Sequence, residues 1–168
     1  ALPICKYEIK DTWVIGNNGN QAGVNGVCLV KNNFFAATDE GLKQTDINQS
    51  NPSNFTNWKT ISGSGGLPVG PIQDVLSVND QLVVLKNDSV LIQKGITWQL
   101  LYYNNTANIT ALNIAAGKIV AGERTTTGIA RVIQLNTNGQ IEKTFSQDRK
   151  STRLNSSHSS VSRMPSSA

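Results

Sequence analysis

A strand–turn–strand unit recurs along this chain, and the recurrence narrows the folds open to it. The stretch Asn32-Asn33-Phe34-Phe35-Ala36-Ala37-Thr38-Asp39-Glu40-Gly41-Leu42-Lys43-Gln44 sets out, in order, an apolar run, a turn signal and the start of a second strand. The pattern returns from Asp80 to Gln93 and, more loosely, from Gly117 to Gln134. Repetition at this scale builds blades or solenoid coils rather than one enzyme core. The register is direct. Phe34 and Leu82 stand 48 positions apart, and the same shift pairs Val30 with Val78, Ala36 with Val84 and Leu42 with Val90. Trp58 and Trp98 open the fourth strands 40 apart, the difference lying in a longer polar connection before Trp58. From Leu82 to Ile119 the shift is 37.

Four short strands per unit, at this period, predict an all-β fold: a partial β-propeller of about three four-stranded antiparallel blades, with part of a preceding blade. The expected organisation is residues 1–16 as the outer end of a truncated blade, then blades at 24–62, 72–104 and 109–146. Expected strands include Gly26 to Val30, Phe34 to Thr38, Leu42 to Ile47 and Trp58 to Ile61 in the first blade. Asn17 to Gly23 reads as a polar loop. An open β-sandwich is the competing architecture, but a sandwich does not repeat its hairpin at fixed phase.

Residues 148–168 stand apart. Asp148-Arg149-Lys150-Ser151-Thr152-Arg153-Leu154-Asn155-Ser156-Ser157-His158 is what one reading frame of the common short-read sequencing adapter encodes. Ser162-Arg163-Met164-Pro165-Ser166-Ser167-Ala168 matches the adapter's downstream half in the same frame, with Ser159-Ser160-Val161 in the place of the sample index. A natural Ser/Arg-rich tail has a similar composition, but two matched blocks around a spacer of the right size favour a translated adapter. The tail is expected to be non-native, disordered and without a role. Deleting it should leave the circular dichroism β signal unchanged; a clear loss would make it part of the fold.

Setting the tail aside changes the chemistry that is open. Arg149, Lys150, Arg153 and Arg163 against Asp148 supply +3 of the formal net charge of +4, so the basic character is no argument for nucleic acid. The single histidine, His158, belongs to the tail, and residues 1–147 have none for a catalytic triad or metal site. Ser64 and Ser77 therefore lack an activating base. Gly63-Ser64-Gly65-Gly66 is followed by no Lys-Ser/Thr and is not a phosphate loop. Cys5 and Cys28 fit no metal or redox spacing and read as small buried strand residues, a disulfide being the alternative. No apolar run is long enough to span a bilayer as a helix.

Candidate sites are few. Asp39 and Glu40 are adjacent carboxylates, but Asn87-Asp88 at the same place in the second unit points to a solvated hairpin turn, with Gly41 at positive φ. Trp13, Trp58 and Trp98 read as blade packing rather than sugar platforms. Asn54, Asn104 and Asn108 each head an Asn-X-Thr triplet, a pattern that arises by chance in an Asn-rich chain. Tyr102, Tyr103, Asn104 and Asn105 form an aromatic-polar cluster at a strand end, and they are the candidate surface contact. No catalytic residue, metal site or cofactor is expected, and the chain is not expected to be an enzyme.

The ordered series Asp11-Thr12-Trp13-Val14-Ile15-Gly16-Asn17-Asn18-Gly19, Val24-Asn25-Gly26-Val27, Phe35-Ala36-Ala37-Thr38-Asp39-Glu40-Gly41-Leu42 and Asn54-Phe55-Thr56-Asn57-Trp58 resembles the amino-terminal β-propeller of PorZ-type proteins, over roughly residues 4–146. The resemblance implies a periplasmic or cell-surface protein of Bacteroidota associated with type IX secretion, where such proteins help attach anionic lipopolysaccharide to secreted cargo. It implies as partners the remaining blades of an intact protein, secretion-system proteins or surface glycan, with no nucleic acid and no membrane insertion by this segment. A signal peptide would lie outside this fragment. It carries over no catalytic residue. Two other functions compete: the ligand-sensing propeller of a hybrid two-component regulator, and a propeller glycosidase or lyase fragment. A downstream transmembrane helix and kinase domain would select the first, and carboxylates or histidines clustered near the ring axis the second.

Overall fold

The computed structural model describes residues 14–48 and 51–146. Among the described residues, twelve strands make three separate four-stranded antiparallel sheets, each in simple sequence order. The first holds β1 (Val24–Val30), β2 (Asn33–Thr38), β3 (Gly41–Asp46) and β4 (Lys59–Thr60). The second holds β5 (Asp74–Val78), β6 (Gln81–Lys86), β7 (Ser89–Lys94) and β8 (Thr97–Tyr103). The third holds β9 (Ala107–Ala115), β10 (Lys118–Thr125), β11 (Ala130–Leu135) and β12 (Ile141–Ser146). Among the described residues the helical content is two single 3-10 turns, Asn17–Gly19 and Phe55–Asn57.

The sheets stack as blades. β1 lies beside β5 and β5 beside β9, so the first strand of each sheet is the inner one. Two apolar seams hold the stack together. Phe35, Ala37 and Leu42 of blade 1 meet Val75, Leu82, Val84 and Trp98 of blade 2, closed over by Leu67 and Ile72 of the connection. On the far side of blade 2, Val83, Leu85, Val90 and Ile92 meet Ile109, Leu112, Ile119, Ala121 and Ile133 of blade 3. β6 shows how one strand serves both seams. Successive side chains point to opposite faces of a sheet, so Leu82 and Val84 enter the first seam and Val83 and Leu85 the second. A continuous apolar run is what a strand buried on both faces requires. The architecture is an all-β arc of propeller blades.

The repeat spacing is carried into the backbone. β2 and β6 start 48 residues apart, β6 and β10 start 37 apart, and Gln44 pairs Lys59 as Ile92 pairs Gln99. The inner hairpins turn at Lys31, at Asn79-Asp80 and at Ala116-Gly117, with these residues in the left-handed region whose twist suits two-residue hairpin loops. Gly26 permits the close approach of β1 to β5: a Cβ there would sit 2.6 Å from an Asp74 carboxylate oxygen.

Three local expectations need correcting. The fourth strand of blade 1 is two residues long rather than Trp58 to Ile61, because Trp58 ends a 3-10 turn and its indole N–H is drawn to the Pro52 carbonyl at 2.9 Å. The third sheet starts at Ala107, two residues before the expected Ile109. The polar loop before blade 1 contains a 3-10 turn at Asn17–Gly19, and β1 starts at Val24. The expected strands and truncated blade within residues 1–13, Cys5, Trp13 and the tail from 148 lie outside the described residues. Among the described residues no helix is long and apolar enough to cross a membrane.

Candidate functional site

The aromatic-polar cluster at the end of β8 divides in two. Tyr102 and Asn104 turn toward blade 3, whereas Tyr103 and Asn105 are exposed. Tyr102 donates its hydroxyl to Glu123 Oε1 at 2.7 Å, and Asn104 Nδ2 donates to the same oxygen at 3.3 Å. The other carboxylate oxygen, Oε2, accepts from Arg131 Nε at 2.5 Å. Glu123 is fully buried and Arg131 keeps 29% of its side chain in solvent. The arrangement follows from sheet register: Glu123 of β10 lies directly opposite Arg131 of β11, so the pair forms across neighbouring strands, while Tyr102 reaches it from the preceding blade.

The electrostatics follow from these contacts. Burial alone would raise the Glu123 carboxyl, but hydrogen bonds from Tyr102, Arg131 and Asn104 outweigh it and hold the group below the usual carboxylate range. The Tyr102 hydroxyl is pushed up, first by burial and then by its bond to Glu123. Arg131 is raised, chiefly by the hydrogen bond to Glu123. The cluster thus holds a fixed charge pair rather than a proton poised for transfer. Asn104 also caps its own turn, its Oδ1 accepting from Thr106 N at 3.0 Å and Thr106 Oγ1 at 2.8 Å.

Asp39 and Glu40 do form a hairpin turn, with Gly41 at φ 124°. They are more engaged than a solvated turn. Glu40 Oε2 accepts from Lys43 Nζ at 2.8 Å and from Asn17 N at 2.7 Å, and Lys43 is buried. The bond from Lys43 is the main cause of the lowered Glu40 carboxyl. Asp39 Oδ1 accepts from Asn25 Nδ2 at 3.2 Å. Trp98 is buried in the first seam, and Trp58 lines the outward side of blade 1.

Sequence reasoning passed over one further cleft. Cys28, Asp74, Ser77 and Asn113 line an open groove where the three inner strands run side by side. Burial, followed by the nearby Asp74 charge, pushes the Cys28 thiol up to about 11, which leaves it a poor nucleophile. Burial also raises Asp74, against hydrogen bonds from Val75 N and Leu112 N. Cys28 is half-buried on β1 and carries a free thiol. Only the repeat offset could have found this groove, since Cys28, Leu76 and Asn113 occupy the same inner-strand position in the three blades. Among the described residues no three His, Cys, Asp or Glu side chains converge as a metal site would require.

The fold and its polar clusters define a propeller-type blade arc. No family model matches the chain, and no curated protein is similar to it. Among solved structures it is similar to the computationally designed Ika4 protein, with 18% identity, a TM-score of 0.49, and coverage of 79% of this chain and 78% of that one. It is also similar to the N-terminal domain of Nup159, with 16% identity, a TM-score of 0.46 and coverage of 71% of this chain. The match spans 29% of the Nup159 chain. At these values neither likeness bears on what the chain does.

Proposed function

We propose that this chain is a non-catalytic scaffold: an extracytoplasmic run of propeller blades from a PorZ-type protein of the type IX secretion apparatus, which holds cargo or anionic lipopolysaccharide in place for attachment. The observation that supports it is where the charged groups spend their hydrogen bonds. Glu40 is bound by Lys43, Glu123 by Arg131 and Tyr102, and Lys86 Nζ donates to the Pro71 carbonyl. Satisfied in this way, such groups stiffen the blades and leave exposed loops, including Tyr103 and Asn105, to meet partners. The partners are the other blades of an intact protein, secretion-system components or surface glycan, in the periplasm or at the cell surface. The test is deletion of the intact gene in the bacterium that carries it. Secreted cargo should lose its lipopolysaccharide and regain it on complementation; fully modified cargo in the deletion strain would overturn the reading. A sensor would instead change transcription and leave cargo modified.

A further inference from the structure

The connection between its third and fourth strands is where blade 1 departs most from its neighbours. It runs over residues 47–58, twelve positions, against two in blade 2 and five in blade 3. β4 then pairs β3 at two places, Lys43 with Thr60 and Gln44 with Lys59, whereas β8 pairs β7 at six. Where the strand falls short, a groove of about 540 Å³ opens, lined by polar residues from β2, β3, the loop and β4. Asn33 stands opposite Asp46 and Gln44 opposite Lys59, so sheet register sets these four on one face, in the row that continues Phe35 and Leu42 of the seam. Thr56 and Asn57 come from the inserted loop. Blade 2 shows what this row does when it serves packing. Ile92, at the position of Gln44, is 1% exposed in the seam with blade 3. Blade 3 has Gln134 there, with no blade beyond it among the described residues. Gln44 is half-buried and donates Nε2 to Asn33 Oδ1 at 2.8 Å. An insertion in one repeat and a polar residue in a packing row thus meet at one groove, and insertions in repeat folds often build the binding face.

We propose that this groove binds a neutral saccharide. The side-chain amides of Asn33, Gln44 and Asn57 each hold a donor and an acceptor, and Thr56 adds a hydroxyl. That set matches the neighbouring hydroxyls of a sugar ring, each of which also donates and accepts. The charges of Asp46 and Lys59 offset each other, which gives no preference for an anion. Asp46 Oδ1 accepts from Asn48 N at 2.9 Å, and Asn57 Nδ2 donates to the Asn51 carbonyl at 2.9 Å, so both side chains are held in position before a ligand arrives. Pre-set groups lower the ordering cost of binding. No apolar residue lines the groove to anchor a lipid chain or the hot spot of a protein partner. The volume falls within the range of roughly 300–1,000 Å³ common to small-molecule sites. The proposal does not rest on the secretion reading above, whose glycan is anionic.

The experiment is a heteronuclear NMR titration of the full chain with maltotriose, cellotriose, mannotriose and triacetylchitotriose at millimolar concentration, repeated on Gln44→Ile and Asn57→Ala. Gln44→Ile installs the residue that blade 2 carries, and the fold of both variants is checked by circular dichroism and a cooperative melt. At least one trisaccharide should shift the backbone signals of Asn33, Gln44, Asn57 and Lys59 saturably. Each variant should weaken that binding by about tenfold, the scale of one good hydrogen bond. No saturable shift from any of the four sugars would overturn the proposal. So would binding that both variants leave unchanged, which would put the sugar elsewhere. Stronger shifts at the same signals from sialyllactose would mean an anion site, and from an acetylated Gly-Ser hexapeptide a peptide groove; either would overturn it.

Discussion

Replacing Leu82 by alanine should lower the stability of this protein by about 3 kcal/mol, the usual scale for a buried leucine that leaves a cavity behind. Leu82 is 2% exposed and lies in the seam between blades 1 and 2. The seam is formed by two stiff sheets, so the hole closes poorly. A loss of that size is a large part of a domain's net stability. Chemical denaturation measures it, with Leu100→Ala on the exposed side of β8 as the control; a surface leucine of this kind should shift stability by no more than about 0.5 kcal/mol. Equal effects from the two substitutions would mean that the seam does not carry the fold.

Replacing Glu123 by alanine should cost about 2–3 kcal/mol, toward the low end for breaking a buried ion pair, because Arg131 keeps part of its side chain in solvent. What is lost is more than one charge pair. The Tyr102 hydroxyl and the Arg131 guanidinium both lose their carboxylate partner. The group also sets a pH dependence whose sign is fixed. The folded-state pKa of Glu123 lies below its unfolded value, so its contribution is fully present above the ordinary carboxylate range and is lost as pH falls through the folded value. Glu40 acts in the same direction. Asp74, raised by burial, acts in the opposite one. Denaturation at a series of pH values should show the acid-side loss in the unaltered protein and a flatter profile in Glu123→Gln. An unchanged profile would place the acid sensitivity elsewhere.

The blades were legible because their signals are local. Val27 to Val30, Phe34 to Ala37 and Leu82 to Leu85 are apolar runs bounded by turn residues, and turn chemistry acts over a few positions. The phase of the repeat then gave the stacking without any long-range information. What stayed hidden was what a single repeat does differently from its neighbours. The short β4 depends on the Pro52 carbonyl capturing the Trp58 indole, an event inside an irregular loop. The burial of Lys43 was invisible because blade 2 has Leu91 at that position. The candidate site was half legible. An aromatic-polar cluster could be seen in Tyr102 to Asn105, but its main partner is Glu123, on a strand of another blade, and no periodicity links the two.

The buried polar residue at or near the end of the second strand of each blade has a consequence for how the chain finds its fold. Thr38, Lys86 and Glu123 occupy one repeat position, all buried, and each has different partners. Apolar blade faces are largely interchangeable, which exposes repeat proteins to misassembly between similar units. Here the interchange carries a penalty. If blade 3 settled against blade 1 in place of blade 2, Glu123 would meet the neighbourhood of Ser62 instead of Tyr102 and Asn104, and two of its donors would be missing. Thr38 bonds within its own hairpin and Lys86 to the connection before its blade, so the address is written in blade 3 by Glu123. It tells that sheet which neighbour is the right one, and a wrong neighbour is refused by an underpaired carboxylate in an otherwise permissive seam.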